Sequence, residues 1–212
     1  MDGAATGCAT RWGWSMSASV TSMAMSASKA ICRRLQAYSA GCKLSGHDEV
    51  QPMRVTDVLD ESRIVFVEAQ ASRTALLRSA LEPIAGREGV GDVEAVVTAL
   101  MERERLCSTA IGGGYAIPHT FAPAIARLLV ALVVPSQPVD FRSLDGRPVE
   151  FLFLILGPPE EQKRHLGLLS RLSRILNAPA LLDQLRAARR DKGALMDCLR
   201  SAETAYEARF GV

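Results

Sequence analysis

The sequence predicts an α/β domain with one sheet sandwiched between helices. Two observations carry this. The stretches Arg127–Val134 and Val149–Leu156 are nearly continuous apolar runs, as expected for strands covered on both faces. Segments with the 3.6-residue spacing of amphipathic helices lie before and after them, so strands and helices alternate along the chain.

The elements follow in order. Thr56-Asp57-Val58-Leu59-Asp60 reads as a cap and a short helical turn, and the β-rich Arg63–Val67 as a strand. Ser72 then caps a helix whose apolar positions are Leu76, Leu77, Ala80, Leu81 and Ile84. Gly89 and Gly91 break that pattern. Asp92 opens a second helix with Val96, Val97, Leu100 and Met101 on one face, ending near Arg103–Arg105. Between the two apolar runs, Asp145-Gly146 is a turn signal. Gly157-Pro158-Pro159 stops the second run and leads into a helix over Glu160–Leu176. Two further helical stretches, Pro179–Arg190 and Lys192–Ser201, complete the pattern.

Composition narrows the function classes. Apolar residues make up 48% and charged residues 23%, the balance of a soluble globular protein. The longest apolar runs, Leu128–Val134 and Phe151–Leu156, are too short to span a bilayer, so no direct membrane insertion is expected. The net charge of +2 is unevenly spread. Up to Gly46 there are five basic side chains and one acid; the remainder carries 20 basic and 22 acidic ones. A slightly acidic body is not a nucleic-acid binder. The five cysteines form no CxxC pair and are odd in number, which fits reduced thiols in the cytoplasm.

Residues 1–49 are rich in Ser, Ala and Met and keep no sustained period, so a disordered extension is expected there. The acidic start and the lack of a long apolar run exclude a secretory signal. Two origins stay open: an organellar transit segment, or a coding start placed upstream of Met53. The folded domain is assigned to residues 53–205.

The chemistry centres on Thr109-Ala110-Ile111-Gly112-Gly113-Gly114-Tyr115-Ala116-Ile117-Pro118-His119-Thr120. Three glycines leave backbone amides unshielded, which suits an anion. Pro118 fixes its own φ and restricts Ile117, so His119 is presented in a set direction. A neutral imidazole beside an anion cradle is a nucleophile placed for a phosphoryl group; a surface histidine after a tight turn is the plainer alternative. His165 shares a helix face with Leu168, Leu169, Leu172 and Leu176, so it either fills the core or donates to an anion near a helix N-terminus. Arg103 offers fixed, always-charged donors, or it is a solvated charge at a helix end. Ser108 and Thr109 read as hydroxyl donors or local caps. A thiol hydrolase built on Cys107 lacks an orienting acid, and His47, His119 and His165 lack the short ligand spacings of a zinc site.

Gly112 to His119, with Arg103-Glu104 and Ser108-Thr109 ahead of it, resembles the phosphohistidine signature of type-2 enzyme IIA domains. These belong to the phosphoenolpyruvate-dependent phosphotransferase system of bacteria, in its mannitol/fructose and nitrogen-regulatory branch. The resemblance runs from about Met53 to about Arg200 and implies a mixed-sheet fold. It implies that His119 is the phosphorylated residue, that His165-Leu166 is the second active-site histidine and its leucine, and that Arg103 is the active-site arginine. Thr109, Gly112, Gly113 and Gly114 would support the phosphate. No metal or cofactor is implied. The implied partners are an HPr-type phosphocarrier upstream and, downstream, a IIB component or a regulated kinase or transporter. A nitrogen-type regulator is favoured, because no IIB, IIC or carrier segment is fused within these residues; a sugar-specific IIA is the alternative. Two departures stand out: Gly113 replaces a usual Asn or Glu, and Thr120 replaces a usual Gly or Ala, where its branched side chain is expected to crowd the site. Phe121 and Tyr115 are expected in an apolar ring around His119.

Overall fold

A computed structural model describes residues 53–68 and 70–210. The expected N-terminal extension, 1–49, lies outside the described residues, as does His47.

The two apolar runs become the central strands. We number the strands β1 (Ile64–Val67), β2 (Ala110–Gly112), β3 (Tyr115–Ala116), β4 (His119–Phe121), β5 (Leu129–Pro135) and β6 (Phe151–Gly157). The helices are α1 (Val55–Val58), α2 (Arg73–Glu88), α3 (Val93–Leu106), α4 (Gln162–Leu176), α5 (Leu181–Ala187) and α6 (Lys192–Phe210). Every residue of β5 and β6 is buried, which is why neither alternates in polarity. The two pair antiparallel from Leu129↔Leu156 to Val133↔Leu152, and β1 joins β5 in parallel. The far edge of β6 carries β3 and β4 one after the other, both parallel to it, with β2 antiparallel to β3. The sheet is mixed, in the order β1-β5-β6-β3-β2.

Period-two alternation divides the core. Leu129, Ala131, Val133, Leu152, Leu154 and Leu156 face α2 and α3. Val130, Leu132, Val134, Phe151, Phe153 and Ile155 face α1, α4, α5 and α6. Truncating one such leucine to alanine costs about 2–5 kcal/mol in cores of this kind.

Ser72 and Asp92 cap α2 and α3 as their sequences predict, each accepting from an amide three residues on. Thr56 does not cap: α1 already begins at Val55, and the Thr56 hydroxyl donates to Glu203 at 2.7 Å. The Pro179–Arg190 stretch forms only the short α5, whereas α6 runs nine residues past Ser201 and through the expected boundary at 205. The reason is ionic. Glu203, 2% exposed, accepts from the Val55 and Thr56 amides and from Arg171 on α4, so polar positions of α6 face inward. No helix among the described residues is long and apolar enough to cross a membrane.

Candidate active site

His119 opens β4, opposite Ile155 of β6. Pro118 cannot donate to the sheet, but its carbonyl accepts from the Ile155 amide at 3.0 Å, so the chain is still held where β3 gives way to β4. His119 and Phe121 therefore sit on the α4 side of the sheet, half-buried. The His119 Nδ1 lies 2.8 Å from the Ile117 carbonyl oxygen. Burial, first, and the charge of Arg103 lower the His119 pKa; the Ile117 carbonyl and Glu104 oppose the shift. The neutral ring thus keeps its proton on Nδ1 and leaves the Nε2 lone pair free.

His165 is the fourth residue of α4 and fully buried. Its ring centroid lies 5.7 Å from that of His119 and 4.2 Å from that of Phe121. Nε2 lies 3.2 Å from the Ile155 carbonyl oxygen, while Nδ1 is buried without a partner among the described residues. Burial pushes the pKa down to about 4, so the ring is neutral and spends its one N–H on Ile155. Gly157 makes room here: a Cβ on it would stand 3.6 Å from His165 Cδ2 and 3.1 Å from Leu128.

Arg103, in the last turn of α3, folds back to donate to the Cys107 carbonyl at 3.1 Å. Its charge is felt at His119, and it has no carboxylate partner among the described residues. Arg105 instead lines a shallow surface cleft with Arg78 and Glu94. The structure thus brings the His119 and His165 rings together, with Arg103 near enough for its charge to lower the His119 pKa.

It does not bring the glycines to them. Gly112, Gly113 and Gly114 all have positive φ, of 89°, 61° and 85°, and form the tip of the β2–β3 hairpin. Tyr115 pairs with Phe151 and His119 with Ile155, so the tip lies at the opposite end of β6. At ~3.3 Å per residue, that separation is roughly 13 Å. The Gly113 amide already donates to Asp145 at 2.8 Å, so the expected phosphate cradle is a turn closed on its own carboxylate. Tyr115 is buried at this end as well and is not part of a ring around His119. Thr120 points to the other face, toward α3, and does not crowd His119.

Thr109 is buried and committed. Its amide and hydroxyl both donate to Glu104 Oε2, at 2.9 and 2.6 Å. Glu104 is the residue that sequence reasoning passed over. The adjacent Arg103-Glu104 gave a signal, but nothing in the order of residues tells which of the two turns inward. Phe121, expected in an apolar ring around His119, is also packed against His165, the two rings tilted at 42°.

Comparison with known proteins gives the family. The family described as "Phosphoenolpyruvate-dependent sugar phosphotransferase system, EIIA 2" matches residues 57–201. A nitrogen regulatory protein of Bradyrhizobium diazoefficiens is 34% identical over 140 residues, which cover 65% of this chain and 89% of that protein. A fructose-specific EIIA component of Haloferax volcanii is 32% identical over 127 residues, covering 58% and 82% respectively. Among solved structures, the nitrogen regulatory protein IIA-Ntr of Neisseria meningitidis superposes with a TM-score of 0.61 at 27% identity, covering 68% of this chain and 98% of that one. The mannitol IIA of Escherichia coli shares the fold, with a TM-score of 0.54 at 19% identity over 66% of this chain and 98% of that one. A mixed sheet with this edge, carrying two facing histidines, goes with a family match over most of the chain: the protein belongs to the EIIA 2 family of the phosphoenolpyruvate-dependent sugar phosphotransferase system.

Proposed function

We propose that the protein is a phosphocarrier that takes a phosphoryl group from a phosphohistidine of an HPr-type carrier onto Nε2 of His119. One observation carries the reading: a neutral, half-buried imidazole whose Nδ1 is tied to a carbonyl, 5.7 Å from the ring of a buried histidine and within the electrostatic reach of Arg103. In the transfer the donor's P–N bond breaks as the P–Nε2 bond forms. The loosely bonded phosphoryl needs positioning and positive charge more than covalent help. The ring that receives it becomes electron-poor, and the Ile117 carbonyl at Nδ1 offsets that charge. Arg103 can exchange one carbonyl for phosphoryl oxygens. The bare Nδ1 of His165 is an acceptor at rest; a phosphoryl dianion beside it favours protonation and turns it into a donor.

A nitrogen-type regulatory role in the cytoplasm is the reading we favour. The nitrogen regulatory proteins of Bradyrhizobium diazoefficiens and Pseudomonas aeruginosa, at 34% and 31% identity, support it. The fructose-specific relative at 32% keeps the alternative, a sugar-specific IIA serving a separate IIB/IIC permease. Phe121 and the 59%-exposed Leu166 supply apolar area beside the histidines for a carrier to touch.

The test is incubation with phosphoenolpyruvate, enzyme I and an HPr-type carrier, followed by mass measurement. One acid-labile, base-stable phosphate is expected, and His119→Ala should abolish it. Undiminished uptake by that variant would overturn the assignment. Onward transfer to a purified IIB component would favour the sugar-specific alternative.

A further inference from the structure

Behind the acceptor histidine lies a charge that the phosphoryl reaction itself does not require. Glu104 is 7% exposed, on the inner face of α3, and its carboxylate is fully engaged. Oε2 takes the Thr109 amide and hydroxyl, and Oε1 takes Arg73 of α2 at 3.3 Å, with the Ser108 hydroxyl oxygen 3.2 Å away. The single proton of the Ser108 hydroxyl goes to the nearer acceptor, the Phe141 carbonyl at 2.7 Å. A carboxylate buried among three donors is costly to disturb, because the buried Thr109 amide and hydroxyl that lose it are left unpaired out of water.

From Thr109 the contacts continue in one direction. The Thr109 carbonyl accepts from the Ile117 amide at 3.0 Å, and the Ile117 carbonyl lies 2.8 Å from His119 Nδ1. Three consecutive hydrogen bonds thus run from the Glu104 carboxylate to the imidazole. Only the last touches the ring, and it decides two things at once: which nitrogen keeps the proton, and how the ring is turned. Its acceptor is set by Ile117, whose place against the sheet is set by Thr109, which Glu104 clamps at two atoms. β3 has only two residues and β4 three, so these short strands have little ladder of their own to hold that carbonyl in place.

We propose that Glu104 is a positioning residue for phosphoryl acceptance: through Thr109 and Ile117 it fixes His119 as the Nδ1–H tautomer and aims Nε2 outward. The inference rests on His119 being the acceptor. Glu104 touches neither donor nor phosphoryl group and acts only through the backbone it grips. It also supplies the negative charge that opposes Arg103 at the ring.

The experiment uses the full chain with Glu104→Gln, Glu104→Asp and Thr109→Val. Two quantities are read. Long-range ¹H–¹⁵N correlation gives the tautomer of His119 in the unphosphorylated protein. Single-turnover uptake from a phosphorylated HPr-type carrier, over a range of carrier concentrations, gives rate and apparent affinity separately. The native protein should show one tautomer, protonated at Nδ1. Glu104→Gln should show both, with uptake slowed roughly 10- to 100-fold, as for a misplaced reacting atom, and carrier affinity unchanged. Thr109→Val should move both readings the same way by less, and Glu104→Asp should recover part of the loss. A folded Glu104→Gln protein that keeps the native tautomer overturns the proposal, whether its uptake is native or slowed. Should Glu104→Gln fail to fold, Thr109→Val decides by the same two readings. If the native protein takes no phosphate on His119, the functional reading falls, while the tautomer data still decide whether Glu104 sets the ring.

Discussion

The two ends of β6 are built from similar materials to opposite effect. At its first residues, the glycine tip closes on Asp145, whose carboxylate also holds the Ser143 hydroxyl and the Arg147 amide. Glu150 there pairs with Arg186, and the Gly114 carbonyl accepts from the Glu150 and Phe151 amides. One orphan remains, the buried Tyr115 hydroxyl; burial pushes its pKa up, so it stays a neutral phenol. At the other end the polar groups are left, among the described residues, with capacity to spare: a free Nε2 on His119, a bare Nδ1 on His165, and an arginine bound to one carbonyl. A cluster whose charged groups are all paired has little left to offer a ligand and serves as scaffold. Unspent lone pairs and an unmatched cation, kept partly from water, are what a transferring phosphoryl group needs.

The sharpest way to break this contrast is at His165. His165→Leu fills similar space and removes both nitrogens. We expect uptake to fall by roughly 100-fold, the usual scale for losing one preorganised partner of a transition state. The same substitution should change acid stability. In the folded protein the pKa sits at about 4, against 6.5 for an unperturbed histidine. The unfolded chain then binds the extra proton between those values, so native stability is complete above pH 6.5 and declines as pH falls toward 4. The loss attributable to this ring is of order 3 kcal/mol, and urea unfolding of the variant should lose that part of the slope. A variant with native uptake and an unchanged pH slope would place His165 outside the chemistry.

At the other end, Gly112→Ala should do the reverse. With φ at 89°, an added Cβ would meet the Asp145 carboxylate at 3.1 Å. A side chain in the left-handed region costs about 1–2 kcal/mol, so the free energy of unfolding should fall by that amount. Uptake per folded molecule should stay native. Slowed transfer at full folding would bring the glycine tip back into the mechanism.

What the sequence made legible follows physical range. Long elements read well, because seven buried residues in β5 or a run of apolar positions in α2 repeat a signal many times. The strands β2, β3 and β4 are two or three residues each, too short for any period, and they are what separates the glycines from His119. Nearness in sequence suggested one cradle; extended backbone makes it two ends of a sheet. The tail of α6 was hidden for another reason. Glu203 and Glu207 look like surface charges until Arg171 of α4 meets them across the core. The grouping of His119, His165 and Arg103 that we propose was suggested only by their motif, since no periodicity brings together residues so far apart in the chain.

The gentlest test of the contrast removes one charge. Asp145 is exposed, and the Ser143 hydroxyl, first, with the Gly113 and Arg147 amides holds its pKa down to about 2, against 3.8 for a free side chain. A carboxyl depressed on folding stabilises the native state above the unfolded value, and that contribution fades as pH falls from 3.8 through about 2. Asp145→Asn keeps the shape and one acceptor oxygen but loses the charge. At pH 7 the Gly113 amide should exchange faster with solvent and the unfolding midpoint should fall slightly; near pH 2 the two proteins should converge. Phosphoryl uptake should not change at all, because the site that uses charge lies at the far end of the strand. If Asp145→Asn slows uptake as much as His165→Leu does, the glycine hairpin takes part in transfer and the division of β6 into a scaffold end and a reactive end is wrong.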